Sequence, residues 1–219
     1  MKTRVICVSR TTAAFGDEVA RGLSRRLGFR YVDEEIVAMA AEREGVDVEV
    51  VQNAERRQTF LQRLIESLVV APAPDLMAPG PVFSAAMGPH SDPVAAAAFR
   101  GTEHFRQLIR DVIRDTAREG NVVIVAHASA LALAGEPGVL RVSVTASPRT
   151  RASRLSLEQG IDGSKAERLI AQSDDNRREY LKAFYGVEEE LSLHYDLVAN
   201  TDVLSVAQVV EAVVAVAQA

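Results

Sequence analysis

Residues 4–28, RVICVSRTTAAFGDEVARGLSRRLG, join an apolar run to an amphipathic segment, and this stretch decides the fold. Val5 to Val8 predict a strand buried on both faces of a parallel sheet. Four apolar residues then repeat at helical spacing: Val19, Ala20, Leu23 and Leu27. A strand that turns directly into a helix leaves backbone N–H groups and the positive end of the helix dipole facing outwards. Because proteins commonly hold phosphate at such a place, the turn is a candidate phosphate loop.

The residues of this turn leave two interpretations open. A phosphate loop usually contains several glycines, a lysine and a hydroxyl residue, but SRTTAAFGD (residues 9–17) has one glycine and no lysine. Asp17 opposes a bound anion and suits an N-cap, so the turn is either a phosphate loop or a corner capped by Asp17. The candidate phosphate-binding residues are Ser9, Arg10, Thr11, Thr12, Ala13, Gly16 and Asp17.

Length and composition narrow the class of protein. A chain of 219 residues can bury one sizeable core, and we expect one domain over residues 1–219. The net charge of −5 without a basic stripe argues against a nucleic-acid partner. The single cysteine, Cys7, excludes an internal disulfide and fits a reducing compartment. With no signal-peptide pattern and no long apolar segment, we expect a cytoplasmic protein without a membrane partner. The oligomeric state stays open.

Strand and helix patterns alternate along the chain. Further strands are predicted at 30–32, 121–126, 138–145 and 195–199. Helices are predicted at 34–43, 47–70, 102–119, 164–184 and 203–217, with another opening at Pro148. The alternation predicts an α/β fold with a five-stranded parallel sheet, the first strand in its middle and helices on both faces. Residues 71–99 hold six of the eight prolines and predict a mobile insert beside the acceptor side of the cleft.

Polar residues follow two of the strands, at the sheet edge where ligands bind in open parallel sheets. Asp33 follows the second strand and is either a helix cap or a substrate contact, and His127 follows the strand at 121–126. His127 could bind an anion only when protonated, and its ordinary pKa is near 6.5.

Two predicted helices carry basic residues at helical spacing. Arg151 and Arg154 share one helix face, as do Asp174 and Arg177. The alternative is a solvated helical hairpin laced with intrahelical ion pairs, and composition alone does not separate the two.

Five stretches carry a resemblance that covers most of the chain outside the proline-rich segment. They are ICVSRTTAAFGDEVARGLSRRLGFRYVDEEIV, REGNVVIVAHASALAL, RVSVTASPRTRASRL, SDDNRREYLKAFYG and HYDLVANTDVLSVAQVVEAVV. Their order resembles the cytidylate kinase-like family of nucleoside monophosphate kinases. The resemblance implies a P-loop NTPase-like three-layer sandwich and transfer of a phosphoryl group from ATP, with Mg²⁺, to a pyrimidine nucleoside monophosphate or a similar small phosphate acceptor.

The resemblance also assigns roles to the polar residues. Residues 148–186 would form a helical lid and acceptor-side hairpin, in which Arg151 and Arg154 clamp the transferred phosphoryl group. The acceptor would be bound by Asp33, His127, Asp174 and Arg177.

The sequence departs from the family pattern at the positions that would bind phosphate. Ala13, Ala14 and Phe15 replace glycine-rich positions, and Ala126-His127-Ala128 replaces glycine-arginine-glycine. Two interpretations follow: a working kinase, or a catalytically degraded relative that binds a nucleotide or a protein.

Overall fold

The structure is a computed structural model that describes residues 3–33, 35–43, 102–125 and 127–219. The helix predicted at 47–70 and the insert predicted at 71–99 lie outside the described residues. The chain divides into two units, one formed by Met1–Ile36 with Arg110–Ala219 and the other by Val37–Ile109. The candidate site lies within the first unit, and the single-domain organisation with its lid stays a prediction.

Five parallel strands form the sheet. They are β1 (Val5–Arg10), β2 (Arg30–Val32), β3 (Val122–Ile124), β4 (Val139–Thr145) and β5 (Leu197–Asn200). Their order is β2-β3-β1-β4-β5, and Val5 lies opposite both Val122 and Val139. The predicted parallel sheet with the first strand at its centre is therefore confirmed, and the turn after β1 opens at the middle of the carboxyl edge.

The described helices match most of the predicted ones. They are α1 (Gly16–Leu27), α2 (Glu35–Arg43), α3 (Thr102–Glu119), α4 (Ser129–Ala132), α5 (Pro148–Gln159), α6 (Gly163–Tyr185) and α7 (Val206–Gln218). A short 3₁₀ turn, Ser192–His194, precedes β5. None of these described helices is both long and apolar enough to cross a membrane.

The core covers β1 on both faces, as the apolar run predicted. Ile6 and Val8 pack in one cluster with Val19 and Leu23 of α1 and with α7. Cys7 alternates with them and therefore faces the other side of the sheet, where α4 packs. Complete burial raises the pKa of the Cys7 thiol to about 12, so this cysteine is a protonated core residue.

Local sequence signals fix the hairpin of α5 and α6. Ser147 caps α5 by accepting from the N–H of Thr150, and Pro148 occupies the first turn. Asp162 caps α6 in the same way through the N–H of Ser164. The apolar residues Ala152, Leu155, Ala166 and Ile170 join the two helices, and Ala13 packs against this cluster. The hairpin is thereby held against the turn after β1.

Candidate functional site

The turn between β1 and α1 has the backbone shape of a glycine-rich loop with a single glycine. Ala13 and Phe15 have φ angles of 60° and 64°, in the left-handed region that favours glycine. A Cβ atom added at Gly16 would lie 2.3 Å from Cβ of Arg10, so this position accepts only glycine. A non-glycine residue in the left-handed region costs roughly 1–2 kcal/mol. The surroundings must therefore impose this conformation.

Arg154 and Thr201 supply that restraint. Nη1 of Arg154 donates to the carbonyl of Ala13 at 3.2 Å, and Oγ1 of Thr201 donates to the carbonyl of Ala14 at 3.0 Å. The two side chains are also joined, because Nη2 of Arg154 donates to the carbonyl of Thr201 at 2.6 Å. The guanidinium carbon of Arg154 lies 4.0 Å from the centre of the Phe15 ring. A residue predicted to clamp phosphate thus also holds the turn.

Asp17 does not cap α1, and that prediction is wrong. The N-cap is Phe15, which offers no side-chain acceptor, and the helix already begins at Gly16. The carboxylate of Asp17 instead accepts from Nε of Arg10 at 2.9 Å. The first-turn N–H groups of α1 therefore have no cap from the Phe15 side chain, although Asp17 and Glu18 add negative charge there.

Arg10 joins this helix start to the end of β2. Its Nη2 donates to Asp33 at 3.4 Å, and Nη1 donates to the carbonyl of Val125 at 3.4 Å. Tyr31 donates its hydroxyl proton to Asp33 at 3.1 Å. Burial and the carboxylates of Asp33 and Asp17 raise the pKa of Tyr31, which keeps that donor protonated. Asp33 is thus a partner of Arg10, and its predicted roles as helix cap and acceptor contact stay predictions.

A cleft of about 800 Å³ opens over the turn. The turn residues, the start of α1 and the hairpin of α5 and α6 line it. Of the predicted site residues, the cleft contains Arg10, Thr11, Thr12, Ala13, Gly16, Asp17, Arg154, Asp174 and Arg177. Four predicted residues do not line it: Ser9, Asp33, His127 and Arg151.

Arg151 is a buried residue and does not line the cleft, although the resemblance assigns it to the clamp on the transferred phosphoryl group. Its side chain is 3% exposed, and Nε donates to the carbonyl of Ala146 at 3.0 Å. Nη1 and Nη2 donate to the two carboxylate oxygens of Asp174 at 2.9 and 2.6 Å. Every nitrogen of this guanidinium has a protein partner, and Arg151 fixes Asp174 at the cleft wall.

Arg177 pairs with a residue that the sequence did not single out. Asp174 and Arg177 were predicted to share a helix face and to bind the acceptor together, and Arg177 donates to Glu190 at 2.6 and 2.7 Å. Its Nη2 also donates to Oγ of Ser9 at 2.7 Å. Ser9 therefore lies behind the cleft wall as a partner of Arg177, while Arg177 itself reaches the cleft.

His127 is a neutral side chain near neutral pH. Burial of the imidazole and the charge of Arg10 lower its pKa to about 4. Its φ angle is 52°, and its carbonyl accepts from the hydroxyl of Tyr185 at 2.7 Å. The cation lost with the family arginine is therefore not replaced by a histidinium ion.

The oxygen donors around the turn would bind a hard metal ion such as Mg²⁺ only together with phosphate oxygens. No group of three or more His, Cys, Asp or Glu side chains suited to a metal occurs within the described part of the chain. Mg²⁺ typically takes one or two carboxylates together with phosphate oxygens. The cleft offers the hydroxyls of Thr11 and Thr12 and the 42% exposed carboxylate of Asp17. These oxygen donors fit magnesium that arrives with a nucleotide.

Several residues of the site escaped sequence reasoning. Glu190 lies in a polar stretch without helical or strand spacing, and Tyr195 is the first residue of the strand predicted at 195–199. No local signal marks either of them as a site residue. Thr201 belongs to HYDLVANTDVLSVAQVVEAVV, the last of the stretches that carry the resemblance, and this stretch could have indicated it. The restraining role of Arg154 depends on contacts across 141 residues of sequence, which no pattern shows.

A central parallel strand that turns into a helix beneath an open cleft defines an α/β protein of the P-loop NTPase-like class. The model of the "Cytidylate kinase-like family" matches residues 5–203, and the chain belongs to this family.

Three cytidylate kinases are similar over part of their length. The chain is 37% identical to that of Pyrobaculum arsenaticum over 94 residues, which cover 42% of this chain and 50% of that protein. It is 33% identical to that of Methanopyrus kandleri over 97 residues, 40% of this chain and 50% of that protein. It is 30% identical to that of Sulfurisphaera tokodaii over 112 residues, 49% of this chain and 61% of that protein. The chain thus spans about half the length of the relatives it matches.

A solved structure shows the same fold over nearly the whole chain. An uncharacterized protein from Eubacterium ventriosum superposes with a TM-score of 0.63 at 15% identity, covering 99% of this chain and 98% of that one. A shikimate kinase from Bacteroides thetaiotaomicron gives a TM-score of 0.49 at 14% identity, covering 97% of each chain.

Proposed function

We propose that this protein transfers the γ-phosphoryl group of ATP to a pyrimidine nucleoside monophosphate or a similar small phosphate acceptor. One observation carries the proposal: Ala13 and Phe15 hold the left-handed conformation of a glycine-rich loop although neither is glycine. Strain of this kind persists where the surrounding structure imposes it, and it clusters at ligand sites. Membership of the cytidylate kinase-like family supports the same function.

The residues of the cleft divide into two groups. The backbone N–H groups at the start of α1 bind the phosphates of ATP, and Arg154 places a cation beside them. Arg177 and Asp174 face the cleft from α6 and orient the acceptor. A phosphate oxygen of the acceptor bonds to the γ-phosphorus while the bond to the bridging oxygen breaks and ADP leaves. The protein contributes position and positive charge to this step, as in other phosphoryl transfers.

Magnesium, when bound, neutralises the phosphate charge of ATP. Thr11, Thr12 and Asp17 are the cleft residues that would hold it, by the chemistry of their oxygen donors. Asp17 already pairs with Arg10, so this carboxylate has its charge partly neutralised in the free protein.

A second candidate function is a catalytically degraded relative that binds a nucleotide or a protein. The charges of the turn favour it, because Asp17 and Glu18 place two carboxylates at the start of α1. Nη1 and Nη2 of Arg154 also donate to Ala13 and Thr201, so fewer N–H groups of this guanidinium remain to bind a phosphate. A cytoplasmic location and the lack of a nucleic-acid partner stay predictions under either function.

A coupled assay of ADP release, with ATP and CMP as substrates in the presence of Mg²⁺, distinguishes the kinase from the degraded relative. We expect turnover that requires CMP, and about 100-fold less of it in Arg154→Ala. Arg149→Ala is the matched control, because Arg149 is an exposed arginine of the same helix. ATP binding by calorimetry without any turnover would favour the degraded relative. Absence of both binding and turnover would exclude the kinase.

A further inference from the structure

Four side chains from distant parts of the chain meet behind the cleft wall and form what we call the Glu190 cluster: Ser9, Arg177, Glu190 and Tyr195. Glu190 accepts from Nε and Nη2 of Arg177 at 2.6 and 2.7 Å, as a two-pronged ion pair. Oγ of Ser9 accepts from Nη2 of Arg177 at 2.7 Å and lies 3.0 Å from the hydroxyl oxygen of Tyr195. Ser9 donates to Glu190 at 3.2 Å, and the hydroxyl of Tyr195 also donates to Glu190.

The charges of this cluster stay in place in its half-buried setting. The side chains of Arg177 and Glu190 are 24% and 20% exposed. Burial acts to raise the pKa of Glu190, but the hydrogen bonds and charge of Arg177 outweigh it and hold that pKa below its ordinary value. Burial and the adjacent carboxylate raise the pKa of Tyr195 to about 12, so its hydroxyl remains a donor. The cluster is thus a fully formed ion pair with two hydroxyl partners at neutral pH.

The hydrogen bonds of the Glu190 cluster leave the Nη1 edge of the Arg177 guanidinium available to a ligand in the cleft. Nε and Nη2 make all of the hydrogen bonds to Glu190 and Ser9, while Nη1 takes part in none of the hydrogen bonds found among the described residues. Arg177 lines the cleft, whereas Glu190 and Tyr195 do not. A guanidinium held by two of its nitrogens has lost most of its rotamer freedom before a ligand arrives, which lowers the entropy cost of binding.

The cluster also reaches the turn through the backbone. Ser9 is the penultimate residue of β1, and the turn begins directly after Arg10. A half-buried ion pair contributes little to stability on balance, because desolvation and solvent screening offset the attraction of the charges. Stability alone therefore does not explain why these four side chains come together. A need to hold the Arg177 cation beside the candidate phosphate loop does explain it.

We propose that Glu190 and Tyr195 are positioning residues, which hold Arg177 so that its Nη1 edge binds an oxygen of the acceptor phosphate. This inference rests on the proposed function for the identity of the ligand. It adds two residues to the site that touch no substrate and act through Arg177.

The experiment compares Glu190→Gln, Tyr195→Phe and Arg177→Lys with the native protein. Calorimetry with CMP gives the acceptor affinity, and the ADP-release assay gives kcat and KM separately. We expect Glu190→Gln to weaken CMP binding and to raise the KM for CMP about tenfold, because a charge-assisted pair becomes a neutral hydrogen bond. We expect kcat to change less than KM, and we expect the KM for ATP to stay within about twofold if Arg177 serves the acceptor alone.

Glu188→Gln is the matched control, since Glu188 lies on the same segment but is 72% exposed. Urea unfolding of each variant separates a loss of position from a loss of folding, and Glu190→Asp restores the charge if Glu190→Gln folds poorly. Native affinity and native KM for CMP in a folded Glu190→Gln would overturn the inference. So would equal losses for CMP and ATP, which a general loosening of the structure would produce.

The outcomes also separate this inference from the proposed function. Turnover in the native protein with no response to Glu190→Gln retains the kinase and overturns the positioning role. CMP binding that depends on Glu190 without turnover supports the positioning role and overturns the kinase. Absence of CMP binding in the native protein overturns both.

Discussion

Arg151 of α5 donates to both carboxylate oxygens of Asp174 in α6 from a side chain that is almost completely buried. This pair joins the two helices of the hairpin and places Asp174 at the cleft wall. Each nitrogen of the Arg151 guanidinium already donates to a protein acceptor and Arg151 does not line the cleft, so we expect it to act on the cleft through Asp174.

Replacing Arg151 by alanine should destabilise the protein. The change leaves the carboxylate of Asp174 without its partner and the carbonyl of Ala146 without its donor, and breaking a buried pair in this way costs about 3 kcal/mol. The free energy of unfolding in urea measures the effect. Arg149→Ala, at an exposed site of the same helix, should leave the unfolding curve almost unchanged. Equal curves for the two variants would contradict the structural role of Arg151.

Gly16 should tolerate no side chain. An alanine Cβ there would meet Cβ of Arg10 at 2.3 Å, and a Cβ atom cannot swing away as the end of a flexible side chain can. We expect Gly16→Ala to cost about 2 kcal/mol of stability, within the range for overpacked sites. Gly163→Ala provides the comparison, because nothing lies within 4 Å of a Cβ at Gly163. Thermal unfolding of the two variants should therefore differ clearly, and similar melting temperatures would refute the argument.

The turn should bind ATP better when its glycines are restored. The triple variant Ala13→Gly, Phe15→Gly and Asp17→Ser removes two strained φ angles and one carboxylate at the start of α1. It also frees Nε of Arg10 from its ion pair. We expect a roughly tenfold gain in ATP affinity by calorimetry in the presence of Mg²⁺.

The outcome of this triple variant also bears on the two candidate functions. Ordinary kinase affinity for ATP in the native protein, with no gain in the variant, would show that the native turn already works as a phosphate loop. If neither form binds ATP, the turn is only a corner of the fold.

His127 should make stability depend on pH in the acid range. Its pKa of about 4 in the folded protein lies below the ordinary value near 6.5, so between these pH values the unfolded chain binds a proton that the folded protein does not. Stability contributed by the neutral imidazole is therefore lost as pH falls through this window, by about 2–3 kcal/mol. His127→Asn, which tolerates the positive φ, should show a flatter dependence in urea unfolding from pH 7 to pH 4.5. Parallel curves would show that His127 does not titrate in this way.

Local patterns were sufficient for the order and type of the described strands and longer helices, but they missed the four-residue helix α4 and the 3₁₀ turn at Ser192–His194. The apolar run of Val5 to Val8 predicted a strand covered on both faces, and its position at the centre of the sheet followed from the alternation of strands and helices. Pro148 marked the start of α5 because proline favours the first turn of a helix, a signal that depends on a single residue.

The partners of the charged residues were not predictable in this way. Arg151 and Asp174 are 23 residues apart in the sequence, and Arg177 and Ser9 are 168 residues apart. The packing of the helices on the sheet therefore determines the partner of each charged residue. The cap predicted at Asp17 also failed, because the N-cap is Phe15 and the helix begins two residues earlier than a cap at Asp17 would require. Spacing along a helix shows which residues share a face but not what that face meets.

The contacts of Thr201 determine when the turn after β1 can form during synthesis on the ribosome. Its hydroxyl holds the carbonyl of Ala14, which precedes it by 187 residues, and its own carbonyl receives Arg154. At typical rates of synthesis, roughly 10 to 40 seconds separate the emergence of the two residues. The strained turn therefore cannot acquire its final shape while the chain is short, and a nascent fragment that holds β1, α1 and even β4 should still lack the finished turn.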